Sequence, residues 1–267
     1  MSKLTLCSGN IFSEPITEKE CLACSLSGMA NCSFDYSLLL AMFHDKERTG
    51  IHVTDVVGCL KQAYYNHVNP QPMRIHEKML LFLGTMTHKM LEDAVDEQRF
   101  DAELPLKALG IEGTADVVYH DGKIVDLKTT RWINPAKLPY SKHEVQINVY
   151  AQMLREQGRE VKSLWIQYID MSGPTKCRSC RVPFRMMDDG MLACPRCGYV
   201  PKKPYSSHLG AILKEIPLWT ERQVKDHITQ RKDILESALA ENKAPSAEPG
   251  FLCRYCVHQY ECGDGQV

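Results

Sequence analysis

The chain has 267 residues, 44% hydrophobic and 24% charged, with a net charge of −1. Those totals fit a soluble globular protein of one large domain with small modules. They exclude a global basic signature of nucleic-acid binding, so any DNA surface must be local. No apolar run is long enough to span a bilayer, so no membrane partner is expected. The opening residues Met1 to Cys7 lack the apolar core of a signal peptide, and a cytoplasmic location is expected. The unusual total is 12 cysteines. In a reducing compartment these point to metal sites rather than disulfides.

Residues 1–45 form an arm with Cys7, Cys21, Cys24 and Cys32. Only Cys21-Leu22-Ala23-Cys24 has the spacing of a metal knuckle. One reading is a second zinc site tying a core-poor arm. The other is a few ordinary buried cysteines. Within 51–68, Thr54 or Asp55 is a fair N-cap and a helix is predicted to follow it, with Cys59 isolated there. A long amphipathic helix is predicted over 76–98. It places His88 and Glu92 on one face, and a lone His there is usually a core residue.

A strand over 99–104 leads into a hairpin at 111–128. The turn His120-Asp121-Gly122 carries a strong hairpin dipeptide between β-branched flanks. Side chains two apart on a strand share a face, so Asp126 and Lys128 point the same way, and Asp116 joins them if the register allows. Two carboxylates and an ammonium are costly in a core without a purpose. Metal-dependent phosphodiester hydrolysis wants this trio: acids to hold a hard cation, and a lysine to steady the attacking water or the charge on phosphate.

The following loop is basic and aromatic. Arg131, Lys137 and Lys142 can meet phosphates while Trp132 and Tyr140 stack on bases. The alternative is a solvated loop with an anchored Trp. A helix over 143–157 puts Gln146 and Tyr150 on one face, and a strand follows at 163–169.

Residues 174–206 interrupt the fold with Cys177-x2-Cys180-x13-Cys194-x2-Cys197, a two-knuckle zinc pattern. About thirty residues cannot bury enough surface alone. Zinc binding supplies roughly 10–16 kcal/mol of folding energy. Seven Lys or Arg against two Asp make this segment +5 by side chains. A dication with four thiolates lowers that to about +3. It can face DNA or a protein partner, or be merely structural.

A strand at 208–216 and a helix over 220–241 resume the fold, and a Pro-containing linker leads to the tail. The tail holds Cys253, Cys256 and Cys262, one ligand short of four, and Cys59 is the cysteine left unassigned.

In order along the chain stand Gly84-x3-His88, Gly113-x2-Asp116, Asp126-Leu127-Lys128 and Gln146-x3-Tyr150, flanked by Cys59 and the three tail cysteines. This set resembles the RecB-like nucleases of the PD-(D/E)XK superfamily. More narrowly, it is similar to the CRISPR-associated and viral iron–sulfur exonucleases of the Cas-four type. The resemblance implies an α/β, restriction-endonuclease-like core: a central mixed β-sheet flanked by helices, spanning 46–173 and 207–267. It implies Mg2+ or Mn2+ held by His88, Asp116, Asp126 and the Leu127 carbonyl, with Lys128 acting on the nucleophilic water. Gln146 and Tyr150 would position the scissile strand. Cys59, Cys253, Cys256 and Cys262 would hold a 4Fe–4S cluster joining the N-terminal helix to the C-terminus. The implied activity is a DNA exonuclease for single strands or ends, 5′ to 3′ by family analogy, in CRISPR adaptation, viral recombination or DNA repair. A catalytically silent nucleic-acid-binding or assembly module is the alternative. The zinc insertion and the cysteine arm depart from the family pattern.

Overall fold

The computed structural model describes residues 4–6, 14–27, 34–43, 49–130, 133–171, 176–187, 191–201, 210–250, 253 and 256–263. In chain order the elements are β1 (Leu4–Leu6), β2 (Ile16–Thr17), α1 (Glu18–Ser27), α2 (Tyr36–Met42), α3 (Val53–Val57), α4 (Leu60–Val68), β3 (Met73–Arg74) and α5 (Ile75–Asp93). There follow β4 (Phe100–Ala108), β5 (Ile111–Tyr119), β6 (Lys123–Thr130), α6 (Ser141–Glu156), β7 (Ser163–Asp170), β8 (Arg185–Met186), β9 (Leu192–Ala193), β10 (Ala211–Ile216), α7 (Glu221–Glu241) and α8 (Gln259–Cys262). The chain divides into two compact units. One comprises 1–51, 58–89 and 230–267, the other 52–57 and 90–229.

The second unit is built on a five-stranded mixed sheet in the order β10-β7-β6-β5-β4. The β5–β6 hairpin turns at Gly122, whose φ of +92° a side chain rarely adopts. The Asp121 carboxylate accepts the Lys123 amide at 3.1 Å and closes the turn. Strand β6 then runs parallel to β7, from Lys123 opposite Ser163 to Thr130 opposite Asp170. Parallel neighbours need a crossover, and α6 supplies it. Its buried row includes Ile147, Tyr150, Ala151, Met153 and Leu154, and it packs on β4 to β7. Pro105 is tolerated because β4 is the edge strand of this sheet among the described residues. Val117, Val125 and Leu127 form a core on this sheet, with Phe100, Trp165 and Ile169 against it.

In the first unit, Ile16, Cys21, Phe34, Leu39, Met42 and Ile75 make a core around α1 and α2. The arm is therefore better packed than its composition predicts. Cys21 and Cys24 lie buried on helix α1, not on a knuckle turn. Cys7 and Cys32 lie outside the described residues. A separate core joins Leu60, Ala63 and Tyr64 of α4 to Leu235 and Ala238 of α7.

Several boundaries differ from the sequence reading. The helix expected to follow Thr54 or Asp55 within 51–68 is two helices: one already begins at Val53, and the chain breaks at Gly58 and Cys59, with Cys59 extended (φ −67°, ψ 119°) as the residue before α4. The helix expected over 76–98 ends at Asp93. The strand expected at 99–104 runs on to Ala108. No helix among the described residues is long and apolar enough to cross a membrane.

Candidate active site and metal centres

The hairpin acids meet where the strands part. The β5–β6 ladder pairs Val118 with Ile124 and Val117 with Val125. One step further the Asp116 carboxylate takes the place of the backbone acceptor: the Leu127 N–H donates to its Oδ2 at 2.6 Å. Asp116 is thus buried with its charge steadied by an amide. Asp126 is 1% exposed, and the Lys128 ammonium lies 2.7 Å from its Oδ2 with the lysine side chain 20% exposed. The period of two along β6 puts this acid and base on one face, as the sequence predicts.

Helix α6 brings Gln146 and Tyr150 to the same place. The Gln146 amide donates to the Tyr150 hydroxyl at 2.9 Å. Burial pushes the Tyr150 phenol well above its usual range, and the negative charges of Asp126 and Asp116 push it further, against the Gln146 hydrogen bond. Gly113 has a packing reason: a Cβ there would sit 2.8 Å from Tyr150 Cε1 and 2.9 Å from Val53 Cγ2.

Tyr168, opposite Lys128 on β7, marks the other side of the site. Its hydroxyl accepts the Tyr140 amide at 3.4 Å and lies 3.1 Å from His143 Nδ1. Burial raises its pKa to about 12, opposed by the Tyr140 amide, with the Asp126 charge adding to the rise. Burial, then the positive charges of Lys128 and Lys142, lowers His143 to about 3 and keeps its imidazole neutral. Lys128 thus stands between the Asp126 carboxylate, which it pairs with, and the neutral His143, which its charge reaches.

One acid escaped the sequence reading. Glu103 of β4 falls between the pairs Ala102–Val117 and Leu104–Ala115, opposite Asp116, without a register slip. Its φ is +48°, rare for a non-glycine residue. Its carboxylate lies within 4.8 Å of the Asp116 oxygen. Neither the register nor the positive φ was visible in the sequence. His88 is half-buried on α5 in the first unit. Of the basic loop, Lys137 and Lys142 are exposed. The Tyr140 ring stands edge-on to His143 and Tyr168, with centroids 5.5 and 6.3 Å away. Arg131 and Trp132 lie outside the described residues.

In the first unit, the tail is tied to α4. The Lys61 ammonium donates to the Cys262 carbonyl at 2.7 Å, and the Tyr65 hydroxyl to the Glu261 carbonyl at 3.2 Å. Buried His258 sits between Glu261 and Asn66, 2.8 Å from each, and stacks on Tyr65. Burial raises the Cys256 thiol. The His258 amide opposes this, and the negative charge of Cys59, Cys262 and Cys253 adds to it. Cys59, Cys253, Cys256 and Cys262 are all half-buried in this unit.

In the second unit, Cys177, Cys180, Cys194 and Cys197 bring their sulfurs within 4.8 Å of one another, with Cys177 and Cys197 3.8 Å apart. Burial opposes ionisation of Cys194, but the amides of Arg196 and Cys197 and the neighbouring thiols outweigh it and lower the thiol to about 7. Hydrogen bonding to Cys197, then burial, raises Cys180 to about 12. A closed set of four sulfurs, one of them poised as a thiolate, fits a tetrahedral metal ion. Phe184 and Leu192 pack beneath it.

No curated protein matches the chain. The crystal structure of a protein designated SSO0001 aligns over 93% of this chain and 97% of its own, at 16% identity and a TM-score of 0.47. The model of the PD-(D/E)XK nuclease superfamily matches residues 39–263, which takes in the hairpin acids, Lys128, the Gln146–Tyr150 pair and the tail cysteines. The chain belongs to the PD-(D/E)XK nuclease superfamily.

Proposed function

We propose that this nuclease is a Mg2+- or Mn2+-dependent DNA exonuclease acting on single strands or DNA ends, with 5′ to 3′ polarity. The observation that carries the reading is the buried Asp126 with Lys128 at 2.7 Å, beside an Asp116 held by the Leu127 amide. Asp116, Asp126 and the Leu127 carbonyl would hold the dication, and Glu103 would extend the donor set. When bound, the ion polarises a phosphoryl oxygen and lowers the pKa of water. Lys128, tethered by Asp126, orients the attacking water and offsets charge growing on the phosphate. Tyr150, positioned by Gln146, sets the scissile strand against the acids. Lys137, Tyr140 and Lys142, with Arg131 and Trp132, receive the strand beyond it.

Cys59, Cys253, Cys256 and Cys262 hold a 4Fe–4S cluster that staples the tail to α4. Cys177, Cys180, Cys194 and Cys197 hold a structural Zn2+. CRISPR adaptation, viral recombination and DNA repair are the settings that need such a nuclease. The test is degradation of end-labelled single-stranded DNA with Mg2+ or Mn2+ by the wild type, Asp116→Ala and Lys128→Ala. Cleavage by the wild type alone is expected. Equal activity in all three overturns the reading.

A further inference from the structure

The four-cysteine module builds the same knuckle twice. In the first copy, the Arg181 N–H donates to the Cys177 carbonyl at 2.9 Å, and the Cys177 N–H donates to the Val182 carbonyl at 2.8 Å. In the second, the Gly198 N–H donates to the Cys194 carbonyl at 2.9 Å, and the Cys194 N–H donates to the Tyr199 carbonyl at 2.9 Å. Arg181 and Gly198 thus hold equivalent places, with φ of +59° and +70°. Glycine adopts that backbone freely, whereas an arginine does so at a steric cost. The place imposes no further demand: nothing lies within 4 Å of a Cβ built on Gly198. The backbone therefore favours glycine at 181, and the arginine is there for its side chain.

That side chain is exposed, as are those of Lys176, Arg178, Arg185 and Arg196. None of the five forms an ion pair among the described residues. Over residues 176–201 the acids are Asp188 and Asp189 alone. The second equivalent pair also differs. Val182 is half-buried, whereas Tyr199 is 50% exposed, its ring tilted against Phe184 with centroids 6.3 Å apart. A cationic surface with an anchored, exposed aromatic is the chemistry of single-strand binding: guanidinium forks on phosphate and a ring under a base.

We propose that this module grips the DNA strand that the nuclease site cuts, with Arg181 on a backbone phosphate and Tyr199 beneath a base. The inference rests on the nuclease reading for the identity of the strand. The experiment measures binding of a labelled oligothymidylate to the full chain in Ca2+, against salt, for the wild type, Arg181→Gly and Arg181→Lys. Zinc content and thermal unfolding are measured alongside.

Arg181→Gly is expected to keep its zinc and to unfold at the same or a higher temperature. Its affinity should fall about five-fold at 0.1 M salt, and its log–log salt slope by about 0.7, the share of one single-strand phosphate contact. Arg181→Lys is expected to recover most of the slope. An Arg181→Gly protein that binds with wild-type affinity and slope overturns the proposal, and so does one that loses zinc or stability. In that case the module's surface belongs to a protein partner or its arginine is structural. A wild type that binds with the full slope but cleaves nothing in Mg2+ or Mn2+ overturns the nuclease reading and leaves the grip standing.

Discussion

The Asp116 carboxylate accepts the Leu127 backbone amide at 2.6 Å, at the point where the ladder between their strands ends. One acid thus has two jobs: it satisfies a buried donor, and it is a proposed ligand of the metal ion. Two substitutions separate them. Asp116→Asn keeps an oxygen for the amide and loses the charge. Asp116→Ala loses both and leaves a buried N–H unpaired, which costs about 1–3 kcal/mol. Both are expected to abolish cleavage, but only Ala is expected to lose that stability. Denaturant unfolding of the two proteins checks it. Equal stability would show that the amide finds another acceptor.

Gly113 is held to glycine by packing. Its Cβ position is 2.8 Å from Tyr150 Cε1 and 2.9 Å from Val53 Cγ2. Overpacking of this kind typically costs about 1–3 kcal/mol. Gly113→Ala is expected to destabilise by that amount and, because Tyr150 must yield, to lower kcat/KM as well. Val53→Ala in the same protein relieves one of the two contacts and should restore part of the stability. A Gly113→Ala protein with wild-type unfolding and cleavage would remove the close approach from the account of the site.

The sequence carries those parts of the site that are local. The period of two aligns Asp126 with Lys128, the period of helices aligns Gln146 with Tyr150, and knuckle spacing finds Cys177 to Cys197. Other features depend on pairing between distant segments or on a backbone angle. Glu103 faces Asp116 because of a strand register that spacing does not encode, and Glu103 and Arg181 both sit at a positive φ that neither residue type advertises. The break before α4 was also hidden. Its amide is satisfied by Glu248, 188 residues away. An N-cap at Thr54 or Asp55 followed by helix-forming residues reads as one helix until that partner is known.

The neutral imidazole of His143 predicts an acid limit. Burial, Lys128 and Lys142 lower its pKa to about 3 in the folded chain, against an ordinary value of 6.5. Between those values the unfolded chain binds the extra proton, so stability rises with pH there. The contribution is whole above about 6.5 and is lost as pH falls toward 3. The groups around the ring are Lys128, Lys142, Tyr140 and the Tyr168 hydroxyl. His143→Asn replaces Nδ1 with a group that does not titrate and can still meet Tyr168. Its unfolding midpoint is expected to vary less than the wild type's between pH 7 and pH 4. Parallel pH profiles of the two proteins would place the acid sensitivity elsewhere.

Glu248 fixes the loop that carries Cys59. Its Oε1 accepts the Leu60 amide at 3.3 Å, and both of its oxygens are bonded by the Arg231 guanidinium, at 2.9 and 3.0 Å. The same guanidinium donates to the Gly58 carbonyl. Arg231 of α7 and Glu248 of the linker thus hold the backbone on both sides of Cys59. A partly exposed pair is screened by water, so Glu248→Ala is expected to cost only about 1 kcal/mol of overall stability. The effect on the proposed cluster should be larger, because Cys59 would be displaced from its three partner ligands. Anaerobically purified Glu248→Ala is expected to hold less iron per chain and to bleach faster in air than the wild type. Glu248→Gln keeps an oxygen for the Leu60 amide and should fall between them. Equal iron content and equal bleaching rates in all three would show that Cys59 is placed by the packing of α4 on α7 alone. A colourless wild type with no bound iron would remove the cluster itself.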